Sequence, residues 1–126
     1  MTIPAVKLTR ADRDRLASAA VKAMGHARPS AAASMLLSEV FRAIIIDSDS
    51  PLPHVVAPHR DIEIHDNITD TNRRLRLIYP DENASSRDAI SVLSPLGAAL
   101  IGLSVGDTFE WCNRYGDRHS VTVLSA

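Results

Sequence analysis

The chain changes its hydrophobic period once, and this change restricts its fold more than any other feature. Up to about residue 47, apolar side chains recur at three and four, the spacing of one helix face. Beyond it they recur at every second residue, the spacing of a strand with one buried side. Between the two lies 47–53, polar and holding Pro51 and Pro53, which cannot continue a helix and reads as a linker. A helical part over residues 1–50 and a strand part over residues 51–126 predict an α+β fold.

The helical part resolves into two segments. Thr9 is an N-cap, and Asp12 and Asp14 suit the positive end of a helix dipole. The helix runs over residues 11–24 and ends at Gly25, with Leu16, Ala19, Ala20 and Ala23 as its buried stripe. Pro29 and Ser30 restart a second helix. Its stripe is Leu37, Val40, Phe41 and Ile44, widened by Leu36 and Ile45. The short connection makes residues 9–47 a helical hairpin with antiparallel helices. The wide stripe of the second helix leaves monomer and homodimer both open.

In the second part Ile62 and Ile64 alternate with Asp61, Glu63 and His65, Leu75, Leu77 and Tyr79 with Arg74, Arg76 and Ile78, Phe109 and Trp111 with Thr108, Glu110 and Cys112, and Val121 and Val123 with Thr122 and Leu124. These predict half-buried antiparallel strands, with turns at Asp66-Asn67 and around Gly116. One helix interrupts them. Ser94 caps it, Pro95 takes its first position and Gly102 ends it.

Charge and composition exclude several classes. The net charge of −1 argues against a general polyanion binder. It hides an asymmetry, +2 over residues 1–50 and −3 over the remainder. The single cysteine, Cys112, forms no intramolecular disulfide and fits a reducing, cytoplasmic setting. The N-terminus lacks the pattern of a signal peptide, and no apolar run is long enough for a membrane span. His54, His59 and His65 are not completed by a cysteine or close carboxylates into a zinc set. No serine sits in a nucleophile elbow and there is no phosphate loop. The residues therefore point to no catalytic group, no metal and no cofactor. Arg74 and Arg76 share one strand face, which reads as a solvated sheet surface.

Residues 90–107 read Ile-Ser-Val-Leu-Ser-Pro-Leu-Gly-Ala-Ala-Leu-Ile-Gly-Leu-Ser-Val-Gly-Asp. This spacing of cap, proline, two glycines and Gly-Asp turn resembles the C-terminal signature of the Gre/Rnk family of transcription elongation factors (Rnk, regulator of nucleoside diphosphate kinase). The pair Ala98-Ala99 is the Rnk-like form. Pro53-His54 before Val55-Val56, and Leu77 to Pro80, add to the likeness. The resemblance implies an FKBP-like domain behind a short antiparallel coiled coil. It also implies docking on bacterial RNA polymerase at the rim of its secondary channel, with Leu93, Ser94, Pro95 and Leu96 at the docking surface. DNA binding is a family-level expectation of the same kind.

Gre factors act through acidic residues at the coiled-coil tip, which help hold a catalytic Mg²⁺ with hard oxygen ligands. Here the tip, residues 22–29 with Lys22, His26 and Arg28, has no Asp or Glu. The expectation is a polymerase-binding regulator, not an enzyme, that does not stimulate cleavage. For the basic tip, a solvated turn is expected ahead of a weak nucleic-acid contact. The rival is a peptidyl-prolyl isomerase or interaction module of FKBP-like fold, against which the aromatic content of 4% counts.

Overall fold

The computed structural model describes residues 4–25, 31–47, 52–82, 88–112 and 115–126. The expected tip residues His26 and Arg28 lie outside them. The chain opens with a short strand, β1 (Lys7–Thr9), that leads directly into α1 (Arg10–Met24). Thr9 caps α1 by accepting a hydrogen bond from the backbone N–H of Asp12 at 3.2 Å. Gly25 ends the helix in a right-handed conformation and not the left-handed one a C-terminal glycine often takes.

α2 (Ala31–Arg42) ends earlier than its apolar pattern suggests, because Ile44–Ile46 forms a strand, β2. Three consecutive β-branched side chains favour an extended backbone, and β1 offers a parallel partner in the register Lys7↔Ile44. The buried face of α2 is turned accordingly. Ala32, Ala33, Leu36 and Val40 are buried, whereas Phe41 is 82% exposed and Ile44 is half exposed. Phe41 and Ile44 therefore leave the expected stripe. In α1, Leu16 and Ala20 are buried while Ala19 and Ala23 are less so.

α1 and α2 pack on each other, and α2 is also tied to the segment before β1. The Ser34 hydroxyl lies 3.5 Å from Met24 Sδ, and Arg42 donates to the carbonyl of Pro4 at 2.7 Å. Glu39, the one buried carboxylate among the described residues of this region, pairs with Arg42 at 2.5 Å.

The second part is a five-stranded sheet ordered β5-β4-β3-β7-β6, from β3 (Asp61–Asp66), β4 (Thr71–Ile78), β5 (Ala89–Ser91), β6 (Thr108–Cys112) and β7 (Arg118–Ser125). Three ladders are antiparallel. The fourth, β4 with β5, is parallel, which corrects the all-antiparallel expectation. A three-residue strand has too few positions to show a period, so β5 leaves no mark in the sequence.

Side-chain alternation sorts the sheet into two faces. Ile62, Ile64, Leu75, Leu77, Phe109, Val121 and Val123 line the inner one. On the outer one Arg76 pairs with Asp61 at 2.7 Å and Arg74 approaches Glu63 at 3.9 Å. These exposed ion pairs contribute little stability.

α3 (Pro95–Leu100) covers the inner face, and α2 packs on α3. Leu16, Leu36 and Val40 from the helices share one buried cluster with Leu77, Leu100 and Ile101. The seam is tight at Gly102. Its φ of +78° suits glycine, its carbonyl accepts from Lys7 N–H at 2.9 Å, and a Cβ there would lie 2.3 Å from Val6 Cγ1. Among the described residues no helix is long and apolar enough to cross a membrane.

Candidate functional site

The 90–107 motif builds a ridge. Ser94 adopts an extended backbone (φ −78°, ψ 156°) and its Oγ accepts from the N–H of Gly97 at 3.0 Å. The same hydroxyl donates to the Ser91 carbonyl at 2.7 Å, which ties the start of α3 to the end of β5. Pro95 takes the first helical position, where its missing N–H leaves no bond unmade. Gly97 lets the helix lie on β5, since a Cβ would sit 2.2 Å from the Ser91 oxygen. Pro95 is exposed at the crest, and Leu93, Ser94 and Leu96 are half-buried. Ser94→Ala removes the cap and is expected to cost about 1 kcal/mol. Thermal unfolding of the variant beside the wild type measures it.

Two hollows flank this ridge. Ser94, Pro95 and Leu96 border a cleft of about 530 Å³ over the inner sheet face. Its walls carry Ile64, Ile90 and Val121, the stacked pair Trp111–His119 (5.1 Å between centroids, 18° between planes), and Arg73. Trp111 and His119 are register partners across β6 and β7. Asp66, also at the cleft, accepts from the backbone N–H groups of Thr69 and Ile68, and these bonds, that of Thr69 foremost, hold its carboxyl below the usual range.

The second hollow, of about 240 Å³, lies between α1 and the 79–81 segment. Arg15, Ser18, Ala19, Lys22 and Ala23 line one wall, and Tyr79, Pro80, Asp81 and Leu93 the other. The four residues expected at a docking surface are thus divided. Ser94, Pro95 and Leu96 open to the cleft, while Leu93 opens to the groove. Lys22 lies in that groove beside Leu93.

Tyr79 fastens this groove. Its hydroxyl donates to Asp12 Oδ1 at 3.1 Å, and the Arg15 guanidinium lies 3.8 Å above its ring. Its backbone N–H donates to Glu82 Oε1 at 2.7 Å, and that bond, followed by the contact with His59 Nε2 at 2.7 Å, keeps the Glu82 carboxyl low. Burial first, then the Asp12 carboxylate, pushes the Tyr79 phenol well above its ordinary value.

Below about pH 10 the phenol is protonated in both folded and unfolded chains, and its contribution is fully present. Above it the unfolded chain loses the proton first, so stability falls by at most about 1.4 kcal/mol per pH unit. Urea unfolding between pH 8 and 11 should show the wild type losing this increment and Tyr79→Phe lacking it.

Sequence reasoning missed the Trp111–His119 stack and the Tyr79 fastening. Strand alternation supplies the face of each residue, but not the register in which β6 pairs with β7 across their turn, and α1 and the 79–81 segment are far apart in the chain. Among the described histidines, His59 contacts Glu82, and His65 contacts Asn72 at 2.6 Å and Asp70 at 3.0 Å.

Residues 50–126, the sheet with its ridge, match the family model described as transcription elongation factor GreA/GreB, C-terminal. The chain belongs to this family. A curated relative from Escherichia coli strain K12, "Regulator of nucleoside diphosphate kinase", is 38% identical over 80 residues, 63% of this chain and 58% of that protein. A transcription elongation factor GreA from Thermodesulfovibrio yellowstonii is 33% identical over 72 residues, 57% of this chain and 46% of that one. The matched stretches therefore span about half the length of these relatives. A solved structure, the GreA/GreB elongation factor of Nitrosomonas europaea, superposes with a TM-score of 0.69 at 27% identity over 98% of both chains. The likeness thus extends through the helices as well as the sheet.

Proposed function

We propose that this chain is an RNA polymerase-binding transcription regulator that acts at the secondary channel without stimulating transcript cleavage. Residues 51–126 are the anchoring domain, of FKBP-like type, and dock through the 94–96 ridge and the cleft beside it. Residues 1–50 are the part presented to the channel, as a short coiled-coil hairpin. Membership of the GreA/GreB family supports the partner. The compartment this reading implies is the bacterial cytoplasm.

The absence of cleavage rests on one observation. No Asp or Glu occurs between Asp14 and Glu39, so the distal halves of both helices and their connection carry no carboxylate. The flanking two are already engaged, Asp14 with Arg13 at 2.7 Å and Glu39 with Arg42 at 2.5 Å. Asp14 also precedes Met24 by ten residues, which is about 15 Å along a helix. Mg²⁺ needs oxygen ligands at about 2.1 Å, and this stretch offers no side-chain carboxylate to supply them.

Two assays test the two halves. The immobilised chain should retain core RNA polymerase, and Pro95→Ala, at the exposed crest, should reduce retention. Added to backtracked elongation complexes, the pure chain should leave RNA cleavage at background. No retention by the wild type would sink the partner, and clear stimulation of cleavage would sink the second half.

A further inference from the structure

The groove between α1 and the 79–81 segment has the size and charge of a socket for protein side chains. Its volume of about 240 Å³ is below the roughly 300–1,000 Å³ of small-molecule pockets and suits one or two side chains. Arg15, Ser18 and Lys22 stand on one face of α1 at helical spacing, with Ala19 and Ala23 between them as an apolar floor.

The two cations are not equivalent. Arg15 is engaged, stacked on Tyr79 and 3.7 Å from Asp81. Lys22 is exposed, and among the described residues no carboxylate pairs with it. The groove thus offers one unpaired positive charge beside apolar surface from Ala19, Ala23 and Leu93.

Leu93 links this groove to the ridge. It lines the groove, and the next residue, Ser94, lines the cleft, so one partner lying across the ridge would fill both hollows. The Tyr79–Asp12 bond and the Arg15 stack hold the two walls together beforehand, which lowers the ordering cost of binding.

We propose that this groove is the second half of the docking face, receiving from a protein segment of RNA polymerase an acidic side chain for Lys22 beside an apolar one for Leu93. The inference rests on the docking reading above. A nucleic-acid occupant fits less well. A strand brings a run of phosphates, whereas the groove offers one unpaired cation, enough for a single carboxylate, and the chain carries a net charge of −1.

The test is an equilibrium titration of nucleic-acid-free core RNA polymerase onto the immobilised full chain. Lys22→Glu should weaken binding about tenfold and flatten its dependence on salt, with Lys22→Gln in between. Arg10→Glu makes the same charge change at an exposed position of α1 outside the groove, and should stay within about twofold. Unchanged melting temperatures for these exposed positions would exclude unfolding as the cause. Equal losses in Lys22→Glu and Arg10→Glu, or none in Lys22→Glu, would overturn the groove and leave the ridge standing. Wild-type binding that appears only when nucleic acid is added would overturn it in favour of the other occupant. No wild-type binding at all would remove both the docking reading and this inference.

Discussion

Gly102→Ala is expected to destabilise the protein by about 3 kcal/mol. Two costs add at this position. The backbone is held at φ +78°, a region that costs a side-chain-bearing residue about 1–2 kcal/mol. The new Cβ would also lie 2.3 Å from Val6 Cγ1 and 3.1 Å from the Lys7 carbonyl oxygen. Overpacking of this kind costs about 1–3 kcal/mol. The neighbouring atoms belong to Val6 and to Lys7 at the start of β1, so relief requires that segment to move away from the turn after α3. Gly106 supplies the control. Its φ is +93°, but a methyl group there would meet nothing within 4 Å, so Gly106→Ala should show the backbone cost alone. For a chain of this size the difference should appear as a melting temperature about 10 °C lower for Gly102→Ala than for the wild type, and only a few degrees lower for Gly106→Ala.

Leu36→Ala should be at least as damaging, at about 3–5 kcal/mol. Leu36 is fully buried in the cluster that joins the helices to the sheet, and truncation there loses transfer energy and leaves a cavity. Phe41→Ala, five residues on in the same helix, should change stability by less than about 0.5 kcal/mol, because Phe41 is 82% exposed. Urea unfolding of the two variants gives the order directly. The reverse order would mean that α2 buries the face its apolar pattern first suggests and not the face described above.

Leu36, Leu37, Val40 and Phe41 form a stripe wider than one contact face, and nothing local says which edge turns inward. Pairing of Ile44–Ile46 with β1 ends α2 at Arg42, and the buried edge is the one that meets α1 and α3. The capped ridge was readable because its determinants are close in sequence. Ser94, Pro95 and Gly97 act within one helical turn, through a hydroxyl, a missing N–H and a missing side chain. The surroundings of that ridge were not. Lys22 and Leu93 are far apart in the chain and share a groove, and Trp111 and His119 stack only because β6 and β7 pair in one register.

The change of hydrophobic period separated α1 and α2 from the five-stranded sheet, though it hid β1 and β2 within the helical part, and alternation alone identified Ile62, Ile64, Leu75, Leu77, Val121 and Val123 as the inner face of the sheet. Caps, turns and the carboxylate-free stretch were equally plain, since each depends on neighbours a few residues away. The parallel pairings, the inward edge of α2, and the division of residues 93–96 between two hollows were decided by the tertiary structure. Each depends on contacts between distant segments, and a period specifies which side of an element is apolar without specifying what covers it.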